Sequence, residues 1–122
     1  MILTKTPFRI SFAGGGSDHF NLKSQVPGRI ICTTINKYIY VAVNIKHDDK
    51  VRLSYSLTEN VDNAKQLDHL IIRNTLEYFK INKGIEIVTI ADIPSAGSGL
   101  GSSSALTVGL SRALNKLKKK NN

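Results

Sequence analysis

Tryptophan is absent from the 122-residue sequence, and cysteine occurs once, as Cys32. A lone cysteine leaves no internal disulfide to form, which agrees with a reducing compartment. No apolar run approaches the ~18 residues of a membrane-spanning helix. The N-terminus shows no secretory leader pattern either, so a cytoplasmic protein with no membrane partner is expected. The histidines His19, His47 and His69 are scattered, with no Cys/His spacing that would hold zinc. Acidic residues are scarce, 9 against 17 basic ones, for a net charge of +8. Much of that excess sits at Lys116, Lys118, Lys119 and Lys120, where it suits the negative end of a helix. Aromatic residues are not interleaved with these lysines, so nucleic acid is not an expected partner.

What is present fits one folded domain with a modest core, since 41% of residues are hydrophobic and 21% charged. Thr4 to Ala13 reads as an extended segment, with Phe8, Ile10 and Phe12 alternating against Arg9 and Ser11. Pro7 suits an edge strand or a strand start. The triple glycine Gly14-Gly15-Gly16, followed by Ser17 and Asp18, reads equally as a plain loop or as a close approach to a ligand. Arg29 to Ile35 is a β-branched strand, which Asn36 and Lys37 interrupt before Tyr38 to Ile45 continues it. His47 to Lys50 reads as a hairpin turn into Val51, Leu53, Tyr55 and Leu57. Asn63 with Gln66 forms a capping-box pattern for a helix, its apolar stripe at Leu67, Leu70, Ile71, Tyr78 and Phe79, with Gly84 as its stop. Ile85 to Ala91 reads as a buried strand, and Leu106, Leu110, Ala113, Leu114 and Leu117 recur at helical spacing behind it. The order predicts an α+β fold, helices packed on one face of a mostly antiparallel sheet.

Between that last strand and helix lies Pro94-Ser-Ala-Gly97-Ser98-Gly99-Leu100-Gly101-Ser102-Ser103-Ser104-Ala105. Glycines at alternate positions let the backbone turn tightly and let another group come close. A glycine turn opening into a helix aims several N–H groups and the positive helix end at one spot, which is an anion site and usually a phosphate site. A turn that only caps the helix is the simpler alternative, although three glycines and three serines exceed what a cap needs. The Walker loop is excluded because no lysine lies between Asp92 and Arg112. The dinucleotide fingerprint is excluded by its G-x-G-x-x-G spacing and by the lack of a downstream acid.

The two glycine clusters, in this order, resemble the GHMP small-molecule kinases. Pro94 to Ala105 is similar to their ATP-phosphate loop, Pro-x-x-x-Gly-Leu-Gly-Ser-Ser. Thr6 to Asp18 and Thr34 to Val41 resemble the subgroup of sugar kinases similar to D-glycero-D-manno-heptose 7-phosphate kinase, which has L-fucose kinases as relatives. The resemblance implies the fold of that family's N-terminal domain, akin to a domain of a small-subunit ribosomal protein. It implies ATP-dependent phosphorylation of a sugar or sugar phosphate, with ATP and Mg²⁺ as cofactors. On it, Gly97, Ser98, Gly99, Leu100, Gly101, Ser102, Ser103 and Ser104 would hold the ATP phosphates, Ser102 and Ser103 would also meet Mg²⁺, and Arg9 would be catalytic. Gly16, Asp18, Asn36 and Lys37 would bind the sugar. These kinases run to about three times this length, so residues 1–122 are expected to be a truncated N-terminal ATP-binding half. A separate C-terminal kinase half or a homodimer would be its partner. Two other readings remain, an inactive fragment or bare nucleotide-binding module and a basic nucleic-acid-binding domain.

Overall fold

The computed structural model describes residues 1–15, 28–94 and 98–121. Its elements are β1 (Ile2–Ala13), β2 (Ile31–Ile45), β3 (Val51–Ser54), β4 (Thr58–Val61), a 3₁₀ turn (Ala64–Gln66), α1 (Leu70–Tyr78), β5 (Ile85–Ala91) and α2 (Ser102–Asn121). The five strands form one sheet in the order β1-β2-β5-β3-β4. Three of its pairings are antiparallel, and β3 with β5 is parallel. This is the expected α+β architecture.

Alternation decides which face is covered. Ile39, Val41 and Val43 of β2 and Ile85 and Ile87 of β5 are buried against the helices, as are Val51 and Leu53 of β3. Leu106, Leu110, Ala113, Leu114 and Leu117 supply the α2 side of the same core, and Ile72 and Leu76 the α1 side. Each fully buried leucine or isoleucine contributes about 2 kcal/mol of transfer free energy. The opposite face carries the cross-strand rows Leu3–Ala42–Val88 and Lys5–Tyr40–Ile90. There the Lys5 ammonium lies 3.8 Å from the Tyr38 ring centroid. Among the described residues no helix is long and apolar enough to cross a membrane.

Four local expectations are corrected. The stretch from His47 to Lys50 does not join neighbouring strands, because β5 lies between β2 and β3 and pairs with both. The capping box at Asn63 and Gln66 is present, but it caps only the 3₁₀ turn. Leu67 is extended (φ −65, ψ 134) and ends that turn, so α1 starts later, at Leu70. At the far end, Lys80 takes the left-handed conformation (φ 57) just past the helix, not Gly84. Gly84 instead turns the chain into β5 and accepts a hydrogen bond from the Lys46 amide at 2.9 Å. Tyr78, expected on the apolar stripe, is exposed.

The expected β1 alternation also fails at one residue. Phe8 is fully buried whereas Phe12 is exposed. The β1–β2 register slips between Pro7↔Tyr38 and Arg9↔Thr34, and again between Ser11↔Cys32 and Ala13↔Ile31. Such irregularities re-aim the side chains that follow them. Asn36 and Lys37 fall within the first slip, and the strand runs through them without a break.

Candidate functional site

Strand β5 delivers the chain to the glycine-rich turn. Asp92 anchors that exit twice, since its amide donates to the Tyr38 carbonyl at 3.0 Å and its Oδ2 accepts from the Tyr38 amide at 2.8 Å. Gly99 (φ 66) and Gly101 (φ 72) are both left-handed, a conformation that costs other residues roughly 1–2 kcal/mol. Among the described residues, a Cβ at Gly99 would meet nothing within 4 Å, so they leave open space above that turn. Leu100 packs its side chain against the core and thereby holds the turn down. The first α-helical bond of α2 runs from the Ala105 amide to the Gly101 carbonyl at 2.9 Å. Amides ahead of Ala105 lie outside that ladder, at the positive end of a helix with no acidic residue in its first turn.

Arg9 joins this turn from β1. Its amide donates to the Leu100 carbonyl at 3.1 Å. Its side chain runs along Gly101, where a Cβ would stand 3.2 Å from both Cγ and Nε. Glycine at position 101 is therefore required twice, by backbone conformation and by the arginine laid against it.

Beside the turn opens a cleft of about 500 Å³. Ser102 and Ser103 line it together with Ile93, Pro94, Tyr55, Ser56 and His69. Its described lining contains no carboxylate, which keeps the anion-favouring field of the helix end uncompensated. Tyr55 and His69 meet edge to face with ring centroids 5.0 Å apart. Burial first, then a hydrogen bond with Glu59, raises the Tyr55 phenol above its ordinary value of 10.0, so at neutral pH it is a hydroxyl. Glu59 accepts the Asp68 amide at 2.7 Å through Oε2. His69 Nδ1 is buried with no hydrogen-bond partner among the described residues.

The structure thus brings together Arg9, Ser98, Gly99, Leu100, Gly101, Ser102 and Ser103. Ser98 Oγ accepts the Leu100 amide at 3.5 Å, inside the turn itself. Ser104 is exposed on the next step of the helix. Asn36 and Lys37 are exposed and do not line the cleft. Gly16, Asp18 and Gly97 lie outside the described residues. In the first glycine cluster, Gly14 is explained by its own chain: it is left-handed (φ 81), and a Cβ there would collide with the Arg29 carbonyl oxygen. Sequence reasoning missed Tyr55 and His69 as lining residues of the cleft. Tyr55 reads as a strand position and His69 as an isolated histidine, and only the fold brings the residue after β3 against the residue before α1.

Fold and turn together define a class, the α+β domains in which a glycine turn between a strand and a long helix forms an anion-ready cleft. A profile of the GHMP kinases N terminal domain matches residues 64–122, which hold α1, β5, the turn and α2. Residues 64–122 thus carry the N-terminal domain of the GHMP kinases. It is 32% identical to the D-glycero-alpha-D-manno-heptose 7-phosphate kinase of Campylobacter jejuni, over 92% of this chain and 36% of that protein. It superposes on a crystal structure of a D-glycero-D-manno-heptose 1-phosphate kinase from Bacteriodes thetaiotaomicron with a TM-score of 0.81. That match has 25% identity and covers 98% of this chain and 42% of the other. Streptococcus pneumoniae phosphomevalonate kinase shares the fold, with a TM-score of 0.72 at 20% identity, over 98% of this chain and 37% of the other. The chain therefore spans well under half the length of these relatives.

Proposed function

We propose that this chain is the ATP-binding half of a kinase that phosphorylates a sugar or sugar phosphate, of the heptose-phosphate type. One observation carries the reading: Arg9 lies against Gly101 at the start of α2, beside a cleft whose described lining holds no carboxylate. The two similar proteins named for heptose phosphate kinases supply the substrate class.

ATP fits the residues present. Open space above Gly99 and the amides ahead of Ala105 suit its phosphates. The apolar and aromatic walls at Tyr55, His69, Ile93 and Pro94 suit its base. Mg²⁺ fits as a phosphate-held ion touched by the hydroxyls of Ser102 or Ser103, because hard oxygen donors and water are what it prefers. Among the described residues no cluster of three His, Cys, Asp or Glu side chains offers a protein-built metal site. When bound, the ion neutralises phosphate charge. Gly97 would extend the amide cradle.

In phosphoryl transfer the protein mainly positions groups and offsets charge. The turn amides orient the phosphates, and the Arg9 guanidinium offsets charge on the group in transit. Gly16 and Asp18 would present the sugar from the first cluster, with Asn36 and Lys37 at the margin. The remaining partner would be a C-terminal kinase half, in the cytoplasm.

Titration calorimetry of the chain with MgATP, MgADP and AMP tests this. Binding that strengthens with each added phosphate supports it, and absence of MgATP binding removes it. Turnover of heptose phosphates, assayed alone and with a C-terminal half added, separates a kinase from a bare nucleotide-binding module.

A further inference from the structure

Helix α2 carries a glycine eight positions after Gly101, at Gly109, in its interior. Glycine there costs helix stability relative to alanine, so its presence needs a reason. The reason lies on β1. A Cβ at Gly109 would stand 2.8 Å from Thr6 Oγ1, closer than real contacts allow, and 3.4 Å from Thr4 Oγ1. Thr4 is buried, and its hydroxyl donates to the Gly109 carbonyl at 3.0 Å, with the Val41 carbonyl at 3.3 Å sharing the proton. Strand and helix therefore touch at two glycine notches, Thr6 seated at Gly109 and Arg9 seated at Gly101. Their spacings match, since Gly101 to Gly109 spans about 12 Å of helix and Thr6 to Arg9 about 10 Å of strand.

We infer that Thr4, Thr6 and Gly109 are positioning residues for the nucleotide site. They pin the middle of α2 to β1, and so fix how far the helix start stands from Arg9. This inference rests on the nucleotide reading above. A bulkier residue at Gly109 lifts the helix off the strand. Two heavy atoms on the Thr6 Cβ leave that side chain little room to turn aside. The shift reaches Gly101 along a stiff helix, and the phosphate amides and Arg9 no longer converge on one point. Misplacement on the scale of an ångström is costly to such preorganised sites.

The test is MgATP titration of four forms of the chain, with melting temperatures measured in parallel. Gly109→Ala should weaken MgATP about tenfold. Thr6→Ala/Gly109→Ala should recover most of that loss, because removing Oγ1 leaves the nearest atom at an ordinary 3.4 Å. The double variant should melt no lower than the unaltered chain, since alanine favours the helix. Thr4→Val keeps shape but loses the donor, and should weaken MgATP several-fold. This variant carries the test if Gly109→Ala does not fold. Unaltered affinity in Gly109→Ala, or in Thr4→Val where that variant carries the test, overturns the inference. So does a double variant as weak as the single. If the unaltered chain itself binds no MgATP, the nucleotide reading fails first and this inference with it.

Discussion

The Arg9 amide donates to the Leu100 carbonyl at 3.1 Å, so edge strand β1 and the turn ahead of α2 share a hydrogen bond. That bond belongs to the backbone and survives any substitution at Arg9 except proline. Removing the side chain therefore isolates its charge. Arg9→Ala should lower affinity for MgATP about tenfold or more, the scale of a charge-assisted hydrogen bond. Affinity for AMP should hold, because AMP has no terminal phosphates for Arg9 to meet. Equal losses for both nucleotides, measured by calorimetry, would place the guanidinium elsewhere.

Gly99 and Gly101 share a left-handed backbone but not their surroundings. Gly99→Ala should cost roughly 1–2 kcal/mol of stability from conformation alone. Gly101→Val adds a collision with the Arg9 side chain, so it should also abolish most MgATP affinity. Urea melts paired with titrations check both. Wild-type affinity in Gly101→Val would sink the phosphate-turn assignment.

Tyr55 stands edge-on to His69, and both line the cleft together with Ser102 and Ser103. An aromatic wall reads the base, which every adenine nucleotide carries. Tyr55→Ala should weaken ATP and AMP by similar factors, about fivefold for an aromatic contact worth near 1 kcal/mol. A loss confined to ATP would move the base out of this cleft.

Strand β5 and the α2 stripe were legible because their signals are local. Ile85 to Ala91 is a short apolar run, and Leu106 to Leu117 keeps helical spacing over a long stretch. The glycine turn was legible for the same reason, sitting between two clear elements. Strand order was not, because the segment from His47 to Lys50 looks alike whether β2 and β3 pair or β5 enters between them. The start of α1 was misread because one capping box serves a 3₁₀ turn as well as an α-helix, and only the extended Leu67 decides between them. Gly109 was hidden by its own helix: the demand for it comes from Thr4 and Thr6, more than a hundred positions away.

Asp48 offers a test of surface electrostatics remote from the cleft. Its carboxylate is held below the ordinary 3.8, first by its hydrogen bond with Lys46; desolvation is the next effect and opposes it, and the Lys50 amide and nearby lysine charge add to the lowering. A depressed folded value means stabilisation present above the unfolded value and lost as pH falls through the folded one. The stability gap between the unaltered chain and Asp48→Asn should therefore be constant near neutrality and close progressively in acid. With Asp48 exposed and Lys46 only partly covered, the pair should also weaken as salt is added. A gap that widens in acid would contradict the pairing.

Gly14 separates a folding demand from a binding one. Its left-handed backbone sits where any Cβ would run into the Arg29 carbonyl oxygen, and a main-chain carbonyl has little freedom to withdraw. Gly14→Ala should cost about 2 kcal/mol or more in a urea melt, combining conformational strain with the collision. The nearest atoms that such a Cβ would meet belong to Arg29 and Ile30 and not to the phosphate turn, so the folded fraction of the variant should bind MgATP with unchanged affinity. If instead stability is untouched and nucleotide affinity falls, Gly14 serves the ligand and not the chain, and the first glycine cluster belongs to the nucleotide site from its first residue.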